Sequence, residues 1–407
     1  MNYSGIESPL QKTWKRLKRN KPAIVSLSII VIAVILAIIG PSIAPDKTPD
    51  ADDQVLELAN QNPGFETRML LVRKNRDVRE GSFLKKALFG RDNPYEMVPI
   101  NSYAFNDTAV VAEVFSGEAN SEARIIPMVD VVYSLSTEKP RITYGYGKAT
   151  FHTFDNRLKM VDLSKLKAEI KTNFIITKTY RLGTDGYGRD ILSRLLFGVR
   201  VSLTVGLVAV LISLTIGIFM GAMAGFFRGW TDNIIMWLIN VVWSIPTILL
   251  AMAIRFAIGD KINSFLAIFI AVGLSMWVEV ARIVRGQVLG VREMEYVQAA
   301  RGLGYDNFRI IIRHILPNII GPIMVIAASD FASAILIESG LSFIGLGVKP
   351  PTPSWGTMLN DHRAYLLTPD KAFLALAPGI CIMVLVLAFN LLGNGLRDAF
   401  DVKGQTV

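Results

Sequence analysis

Residues 295–318 have the sequence EYVQAARGLGYDNFRIIIRHILPN, a charged stretch with two glycines and a proline that lies between two long apolar segments. Such an interruption is unusual in a chain whose residues are 51% hydrophobic and 19% charged. The apolar residues are gathered into blocks, and the mean hydropathy is +0.40. This distribution indicates that a lipid bilayer surrounds much of the chain of 407 residues.

Six apolar blocks are long enough to cross a bilayer as helices, which satisfy their own backbone hydrogen bonds. We expect these helices at about residues 22–39, 201–227, 234–258, 265–280, 319–336 and 373–392. The fourth block is short and carries Glu279 at its edge. Buried helices of a soluble core are the alternative interpretation. The sequence predicts an all-α polytopic membrane protein with six transmembrane helices.

Basic residues predict the orientation of these helices. Six lysines and arginines precede the first block, and six arginines lie between the fourth and fifth blocks: Arg282, Arg285, Arg292, Arg301, Arg309 and Arg313. The positive-inside rule assigns both segments to the cytoplasm, and six crossings then leave both termini inside. The basic N-terminus and first block also fit a signal peptide with a cleavage-like site at residues 42–44.

A long polar segment separates the first two blocks. Basic and acidic residues balance between positions 46 and 180, so the net charge of +9 belongs to the membrane part, where it suits anionic lipids and not nucleic acid. Strand-like runs occur at 109–115, 125–135, 141–146 and 148–154, and helical runs at 83–88 and 163–170. They predict an inserted α+β domain over residues 46–181, on the outer face. Because the single cysteine, Cys381, lies in the sixth block, we expect no disulfide in this domain.

Two further stretches flank the membrane blocks. LGTDGYGRDILSRLLFGVRVSL, residues 182–203, begins with glycines and continues with apolar residues at helical spacing. It predicts an amphipathic segment at 182–200 that lies on the outer membrane surface. GLSFIGLGVKPPTPSWGTML, residues 340–359, predicts a proline-rich loop in which Trp355 anchors at the interface.

The stretch at 295–318 predicts a helix–turn–helix. Residues 295–302 have helix-forming composition, Gly304 suits the end of that helix, and Asp306 or Asn307 can cap a second helix that begins at Phe308. Small residues on the first helix offer a surface that a partner can approach closely, with charged residues around it. These are Ala299, Ala300 and Gly302, surrounded by Glu295, Arg301 and Arg309. A solvated connecting loop is the plainer alternative.

Several stretches together resemble a known family. The loop resembles the EAA signature of ABC-importer permeases at Gln298-Ala299-Ala300, Gly304 and Leu316-Pro317. Residues 182–203 and LSFIGLGVKPPTPSWG at 341–356 resemble hallmarks of the dipeptide, oligopeptide and nickel permeases, specifically of their C-type subunit. Ser244-Ile245-Pro246 fits the same branch. The resemblance covers roughly residues 10–45 and 180–400.

The sequence departs from the family pattern at three positions. Gln298 replaces a glutamate, Asn240 an aspartate, and His314 an isoleucine. A glutamine can still form hydrogen bonds, so the fold of the loop is expected to be kept, whereas a charge-based contact from residue 298 is not expected.

The resemblance implies a transport subunit of an ABC importer and not an enzyme. It implies a complex with a second homologous permease, two cytoplasmic ATPase subunits that bind ATP and Mg²⁺, and an outer substrate-binding protein, in a bacterial or archaeal cytoplasmic membrane. The chain itself is expected to bind no cofactor or metal. Its Gly147-Lys148 pair is followed by alanine, so it has no Walker A loop, and its three histidines share no ligand spacing.

The resemblance also implies roles for particular residues. The first helix of the loop would be a coupling helix that binds in a groove of one ATPase and acts as a rigid lever on the fifth span. The coupling residues would be Glu295, Gln298, Ala299, Ala300, Arg301, Gly302, Gly304, Leu316 and Pro317, within a loop at 282–316. Candidates for the pathway or its outer gate are Ser244, Pro246, Asp330 and Glu338. Asp330, Glu338 and Arg255 could instead pair with the second permease or extend to the membrane surface.

Peptides are the expected substrate, because they are the commonest substrate class of the family. Nickel chelates, glutathione and oligosaccharides are the alternatives. An ion-driven secondary transporter, a membrane-anchored enzyme and an ABC exporter are rival functions, but the sequence shows no clear internal repeat and no catalytic motif in the polar domain. The expected domain limits are 1–45, 46–181, 182–200, 201–397 and 398–407.

Overall fold

The computed structural model describes residues 9–76, 82, 89–116, 122–138, 142–259 and 261–401. In this part of the chain, five helices are long and apolar enough to cross a membrane, or six if one bent pair of helices counts as a single span. The polytopic helical architecture is therefore confirmed. The helix predicted at 83–88 and most of the tail predicted at 398–407 lie outside the described residues.

The described helices and strands have the following bounds. The helices are α1 (Pro9–Arg19), α2 (Lys21–Ile43), α3 (Met128–Val132), α4 (Leu163–Glu169), α5 (Ile191–Phe227), α6 (Gly229–Trp243), α7 (Thr247–Ile258), α8 (Ser264–Val291), α9 (Glu295–Gly302), α10 (Asn307–Ile310), α11 (Ile320–Phe343), α12 (Trp355–His362) and α13 (Phe373–Phe400). The strands are β1 (Phe65–Arg73), β2 (Tyr95–Phe105), β3 (Ala109–Val114), β4 (Ala123–Pro127), β5 (Thr143–Gly145), β6 (Lys148–His152), β7 (Leu158–Asp162) and β8 (Ile175–Tyr180).

The second membrane helix, α5, begins earlier than predicted. It has 37 residues and is about 55 Å long at 1.5 Å per residue. It therefore includes much of the segment at 182–200, and a separate surface helix is not formed. Asp190 caps it by accepting a hydrogen bond from the backbone amide three residues on, at 2.8 Å. Ile191 and Leu195 pack against Trp355 of α12, so their helical spacing reflects burial within the protein.

The third predicted span, 234–258, is not one straight helix. It is divided into α6 and α7, which are bent by 92° at the Ser244-Ile245-Pro246 break. Proline has no backbone amide to donate and disfavours a helical residue before it, so helix α6 ends there. The Ser244 hydroxyl donates to the Val241 carbonyl at 2.7 Å, which satisfies one of the last carbonyls of α6.

Helix α8 extends well beyond the predicted 265–280, so Glu279 lies inside the helix. It packs closely along α5 because α5 carries glycines four residues apart at 217, 221 and 225. A Cβ atom on Gly221 would lie only 2.5 Å from the Ala281 carbonyl oxygen. Small residues with this spacing allow two membrane helices to approach closely, and the pattern GIFMGAMAG was a sequence signal for this pair.

The segment between α2 and α5 folds around two antiparallel sheets. One has five strands in the order β4-β3-β2-β1-β8, and the other has three in the order β5-β6-β7. Helices α3 and α4 cover them, and the shared core includes Leu70, Val110, Met128, Phe151 and Leu166.

The sequence located these strands incompletely. The predicted strand at 125–135 is wrong over most of its length, because β4 ends at Pro127 and helix α3 follows. The predictions at 109–115, 141–146, 148–154 and 163–170 correspond to shorter elements, namely β3, β5, β6 and α4. Strands β1, β2, β7 and β8 were missed.

The helix bundle has different structures at its two ends. At one end, Asn20 before α2 donates to Asp398 of α13 at 3.3 Å, and Gly321 of α11 packs against the ring of Phe400. At the other end, where α2 finishes and α5 begins, the Asp46 amide donates to the Ser193 hydroxyl at 2.9 Å. The chain passes into the sheet domain and back at this second end.

Candidate functional site

The loop between α8 and α11 is held against the helix bundle by its own small apolar core. Val297 and Ala300 of α9 are buried, and they pack with Phe226 of α5, Val288 of α8 and Ile310 of α10. The short helix therefore contacts the C-terminal ends of two membrane helices.

The other side of α9 faces outward. Its exposed residues are Glu295, Tyr296, Gln298, Ala299, Arg301 and Gly302. A Cβ atom on Gly302 would contact no heavy atom within 4 Å, so nothing in this chain requires a glycine there. The predicted small-residue surface is therefore reduced to Ala299 and Gly302. Ala300 does not belong to it, because the side chain of Ala300 points into the loop's core.

The turn after α9 has the local structure that the sequence predicted. Gly304 has φ +78°, a left-handed conformation that glycine adopts without strain. The Gly304 amide donates to Arg301 O at 3.0 Å and the Tyr305 amide to Ala300 O at 3.2 Å, which closes the end of the helix. Asp306 then caps α10 by accepting from the Arg309 amide at 3.0 Å.

Cationic groups surround the base of the loop. The Arg301 guanidinium lies 5.4 Å from the centroid of the Phe226 ring, and Arg292 donates to the Phe226 carbonyl. Arg228 forms an ion pair with Glu293 at 3.0 Å. These contacts hold α9 to the end of α5 and leave several positive charges near the exposed face.

Gln298 has a local role in this structure. Its side-chain amide donates to the Glu293 carbonyl at 3.2 Å, just before α9 begins. A neutral amide can make this bond and a carboxylate cannot, because a carboxylate only accepts. The glutamine is therefore compatible with the loop that the structure shows.

Leu316 and Pro317 lie where the chain changes from loop to membrane helix. The chain forms a π-helical turn, wider than an α-helix, at Ile311–Ile315 and a tighter 3-10 turn at Leu316–Ile319 before α11 begins. The predicted rigid lever is therefore irregular at this point. Leu316 and Pro317 also line an apolar groove of about 450 Å³ together with Ile218, Ile320 and Ile323.

The loop carries exposed apolar side chains that the sequence analysis did not single out. Leu303, Phe308 and Ile312 are 74%, 71% and 45% exposed. They follow the small-residue surface in the sequence. Phe308 and Ile312 line a groove together with Arg309. These residues could have been recognised from the sequence, because large apolar side chains are unusual at a predicted turn with polar neighbours.

The four candidates for pathway or gate residues are not together. Ser244 and Pro246 are exposed at the break between α6 and α7. Asp330 and Glu338 are buried, and both lie on α11. Asp330 accepts a hydrogen bond from Ser213 of α5 at 3.2 Å, whereas Glu338 accepts from Ser342 at 2.7 Å and from Ser339 at 3.4 Å.

Arg255 is also buried, near the end of α7. Its guanidinium donates to the Gly259 carbonyl at 2.7 Å, a contact at the C-terminus of its own helix. A cation is favoured at this end of a helix. Among the residues that the structure describes, no group of three histidine, cysteine, aspartate or glutamate side chains could hold a metal ion.

A buried charge network at the other end of the bundle was missed. Arg189 pairs with Asp185 at 2.7 Å and with Asp52 at 3.0 Å, and Arg194 lies 3.7 Å from Asp185. Burial raises the pKa of the nearby Asp190 carboxyl above its ordinary value. The Asp185–Arg189 spacing was visible in the sequence, but the partner Asp52 is 137 residues away.

Two family models match most of the membrane part. Residues 213–403 match the binding-protein-dependent transport system inner membrane component, and residues 8–63 match the N-terminal transmembrane domain of oligopeptide transport permease C. Residues 64–212, which include the sheets, lie between the two matched ranges.

Individual proteins are also similar. The chain is 40% identical over 222 residues to the glutathione transport system permease protein GsiD of Pectobacterium atrosepticum, over 54% of this chain and 72% of the relative. It is 41% identical over 221 residues to the dipeptide transport system permease protein DppC of Alkalihalophilus pseudofirmus, over 54% and 71% of the two chains. A solved structure of the MetNI methionine ABC transporter superposes with a TM-score of 0.42 and 18% identity, over 51% of this chain and 96% of that chain.

Proposed function

This chain belongs to the binding-protein-dependent inner membrane components of ABC importers, as a C-type permease of the dipeptide, oligopeptide and glutathione branch, and we propose that it forms half of a peptide pathway driven by a partner ATPase. The partners would be a homologous second permease, two cytoplasmic ATPase subunits that bind ATP and Mg²⁺, and an outer substrate-binding protein. The surrounding lipid would contribute anionic headgroups to the basic edges of the chain.

The proposed orientation leaves the termini and the α9 loop in the cytoplasm. The start of α2, the start of α11 and the end of α13 are at the same end of the bundle, since Gly321 contacts Phe400 and Asn20 contacts Asp398. The arginines that flank the loop favour the cytoplasmic side of a membrane. The sheet domain is at the opposite end of the bundle and would lie outside.

The exposed face of α9 is the proposed docking site for the ATPase. Ala299 and Gly302 allow the backbone of α9 to come close to a groove, and Arg301 adds a positive charge beside them. Because Val297 and Ala300 connect α9 to α5 and α8, closure of the ATPase pair would shift these helices. The coupling would be a free energy that links ATP binding to the pathway, so substrate should also change the affinity for ATP.

The proposed pathway runs beside the break between α6 and α7. Ser244 and Pro246 are exposed there, on a surface that includes Trp237 and Trp243 at 65% and 63% exposure. Such a surface suits contact with the second permease or with the moving substrate. Asp330 and Glu338 are proposed as gate residues. Asp330 would hold α11 to α5 through Ser213, whereas the bond from Ser342 to Glu338 lies within α11.

Short peptides are the proposed substrates, with glutathione as a second candidate. The dipeptide permease DppC and the glutathione permease GsiD are similarly close to this chain, at 41% and 40% identity. Glutathione is itself a tripeptide with an unusual first amide bond, so one pathway can be suited to both. Nickel chelates and oligosaccharides remain candidates with no particular observation in their favour.

One observation carries this proposal: the small-residue face of α9 is exposed while its opposite face is packed on the membrane helices. The test is ATP hydrolysis and uptake in proteoliposomes that contain this chain with the permease, ATPase and binding protein encoded beside it. Trialanine should stimulate ATP hydrolysis and be taken up. Ala299→Glu should abolish both without affecting insertion or thermal stability, whereas Gln287→Ala, at an exposed position of α8 outside the α9 face, should retain them.

Other results would change the proposal. Stimulation by glutathione and not by trialanine would assign the second candidate substrate. Full activity of Ala299→Glu would overturn the docking assignment. Failure of any ATPase subunit to associate would overturn the importer mechanism for this chain.

A further inference from the structure

The sheet domain contains a pocket of about 650 Å³ to which neither the permease fold nor the α9 loop assigns a role. It lies at the end of β1 and the beginning of β2, and the segments that follow α3, β6 and α4 complete its wall. Its volume falls within the range of roughly 300–1,000 Å³ that is typical of small-molecule sites.

The charges that line the pocket are of both signs. Arg73, Lys74 and Arg76 come from the end of β1 and the residues after it, whereas Asp155 follows β6 and Glu169 ends α4. Among the described residues, none of these five side chains forms a salt bridge within 4.0 Å. Elsewhere in the same domain Arg124 does pair with Glu96, at 2.9 Å. The pocket therefore keeps three cations and two anions available to a ligand.

Aromatic side chains supply the apolar part of the wall. The rings of Tyr95 and Phe174 meet edge to face with centroids 5.7 Å apart, and the Arg73 guanidinium lies 5.8 Å from the centroid of the Tyr95 ring. The aromatic pair fixes this wall, and the ring of Tyr95 restrains the guanidinium. A rigid cation of this kind suits a carboxylate, which arginine can bind through two parallel hydrogen bonds.

We propose that this pocket binds a short peptide with free termini, whose carboxylate contacts Arg73 and Arg76 and whose ammonium group contacts Asp155 or Glu169. A zwitterionic ligand is favoured over a simple anion because both signs of charge line the same pocket. The sheet domain would then collect substrate beside the pathway. The peptide identity rests on the proposed function, but the pocket can be tested without transport.

Calorimetric titration of the purified full-length chain with trialanine tests the pocket, because this peptide offers only its backbone and its termini. Trialanine amide and N-acetyl-trialanine should each bind about tenfold or more weakly, because each lacks one terminal charge. The double variant R73Q/R76Q should also bind trialanine about tenfold or more weakly. Arg68→Gln, on an exposed position of the same strand, is the matched control and should bind as the unmodified chain does.

The outcomes separate this inference from the importer proposal. Equal binding by R73Q/R76Q and the unmodified chain, or no binding of trialanine at millimolar concentration, would overturn the pocket assignment while uptake in proteoliposomes could persist. Binding that depends on both termini and on the arginines would support the pocket even if the assembled complex transported another solute. Thermal unfolding of each variant shows whether the domain remains folded.

Discussion

The Arg285 guanidinium and the Asp232 carboxylate form a two-point ion pair, with Nε–Oδ1 and Nη2–Oδ2 distances of 2.5 and 2.7 Å. The pair joins the first turn of α6 to α8, the helix that leads into the α9 loop. The broken helix at the proposed pathway is thereby connected to the helix that carries the coupling loop.

Loss of this pair should destabilise the bundle. Asp232→Asn removes the charge that Arg285 faces, and both side chains are largely shielded from solvent. We expect a decrease of about 1–3 kcal/mol in the free energy of unfolding, measured by denaturant titration in detergent micelles. The exchanged pair D232R/R285D should recover part of the loss, and a double variant no more stable than its single variants would contradict the assignment.

Gly304 should tolerate alanine but not proline. Alanine at φ +78° costs about 1–2 kcal/mol but meets no other atom, so uptake should decrease only moderately. Proline cannot adopt this φ and lacks the amide that donates to Arg301, so coupled uptake should be lost. Transport and ATP hydrolysis are measured in parallel, and Gly302→Ala reports separately on the docking face. Equal activity of the alanine and proline variants at 304 would disprove the role of this turn.

Two glycines of the α5 and α8 helices should respond in opposite ways to alanine. In Gly221→Ala the new methyl group would overlap the backbone of α8, and the unfolding free energy should fall by about 1–3 kcal/mol. Gly286→Ala adds a methyl group to open space and should leave stability unchanged or raise it by about 0.5–1 kcal/mol. Unfolding temperatures in detergent provide the comparison. Equal destabilisation by both would show that α5 and α8 do not pack as described.

Acidification should weaken the end of the bundle near His362. Burial lowers the pKa of this imidazole below its ordinary value, and its Nδ1 atom donates to the Met358 carbonyl at 2.7 Å. The unfolded chain then binds a proton at about pH 6.5 that the folded chain resists, so this stability contribution is lost as pH falls below that value. The unfolding temperature of the unmodified chain should fall more between pH 7.5 and pH 5.5 than that of His362→Gln. A parallel decline in both would exclude His362 as the cause.

Local signals in the sequence were the most dependable. The end of α9 at Gly304 and the cap at Asp306 follow from conformational and hydrogen-bonding preferences within a few residues, and both were predicted. The glycines that allow α5 to approach α8 closely have a four-residue spacing. This spacing is recognisable in the sequence, but no helix pair was predicted from it. The break at Pro246 was also visible as a residue type, but its 92° angle depends on the packing of α7 against α8.

Features that depend on distant contacts were not predictable. Ala299 and Ala300 are adjacent and chemically identical, and contacts with distant residues decide which one is buried. One of these residues is Phe226, more than seventy residues earlier. Strands β1 and β8 are also far apart in the sequence, so no local sequence pattern indicates that they pair as antiparallel neighbours. The pocket in the sheet domain joins five separate segments and has no sequence motif.

The two passages of chain that enter and leave the sheet domain run side by side. The Asn60 amide donates to Asp185 O at 2.9 Å, the Gln61 amide to Thr184 Oγ1 at 2.8 Å, and the Gly64 amide to Tyr180 O at 2.9 Å. Residues 64–180 therefore form one continuous insert that leaves and rejoins the bundle at a single place. The same adjacency makes this position a graft site, where a short linker or an unrelated module can replace the domain.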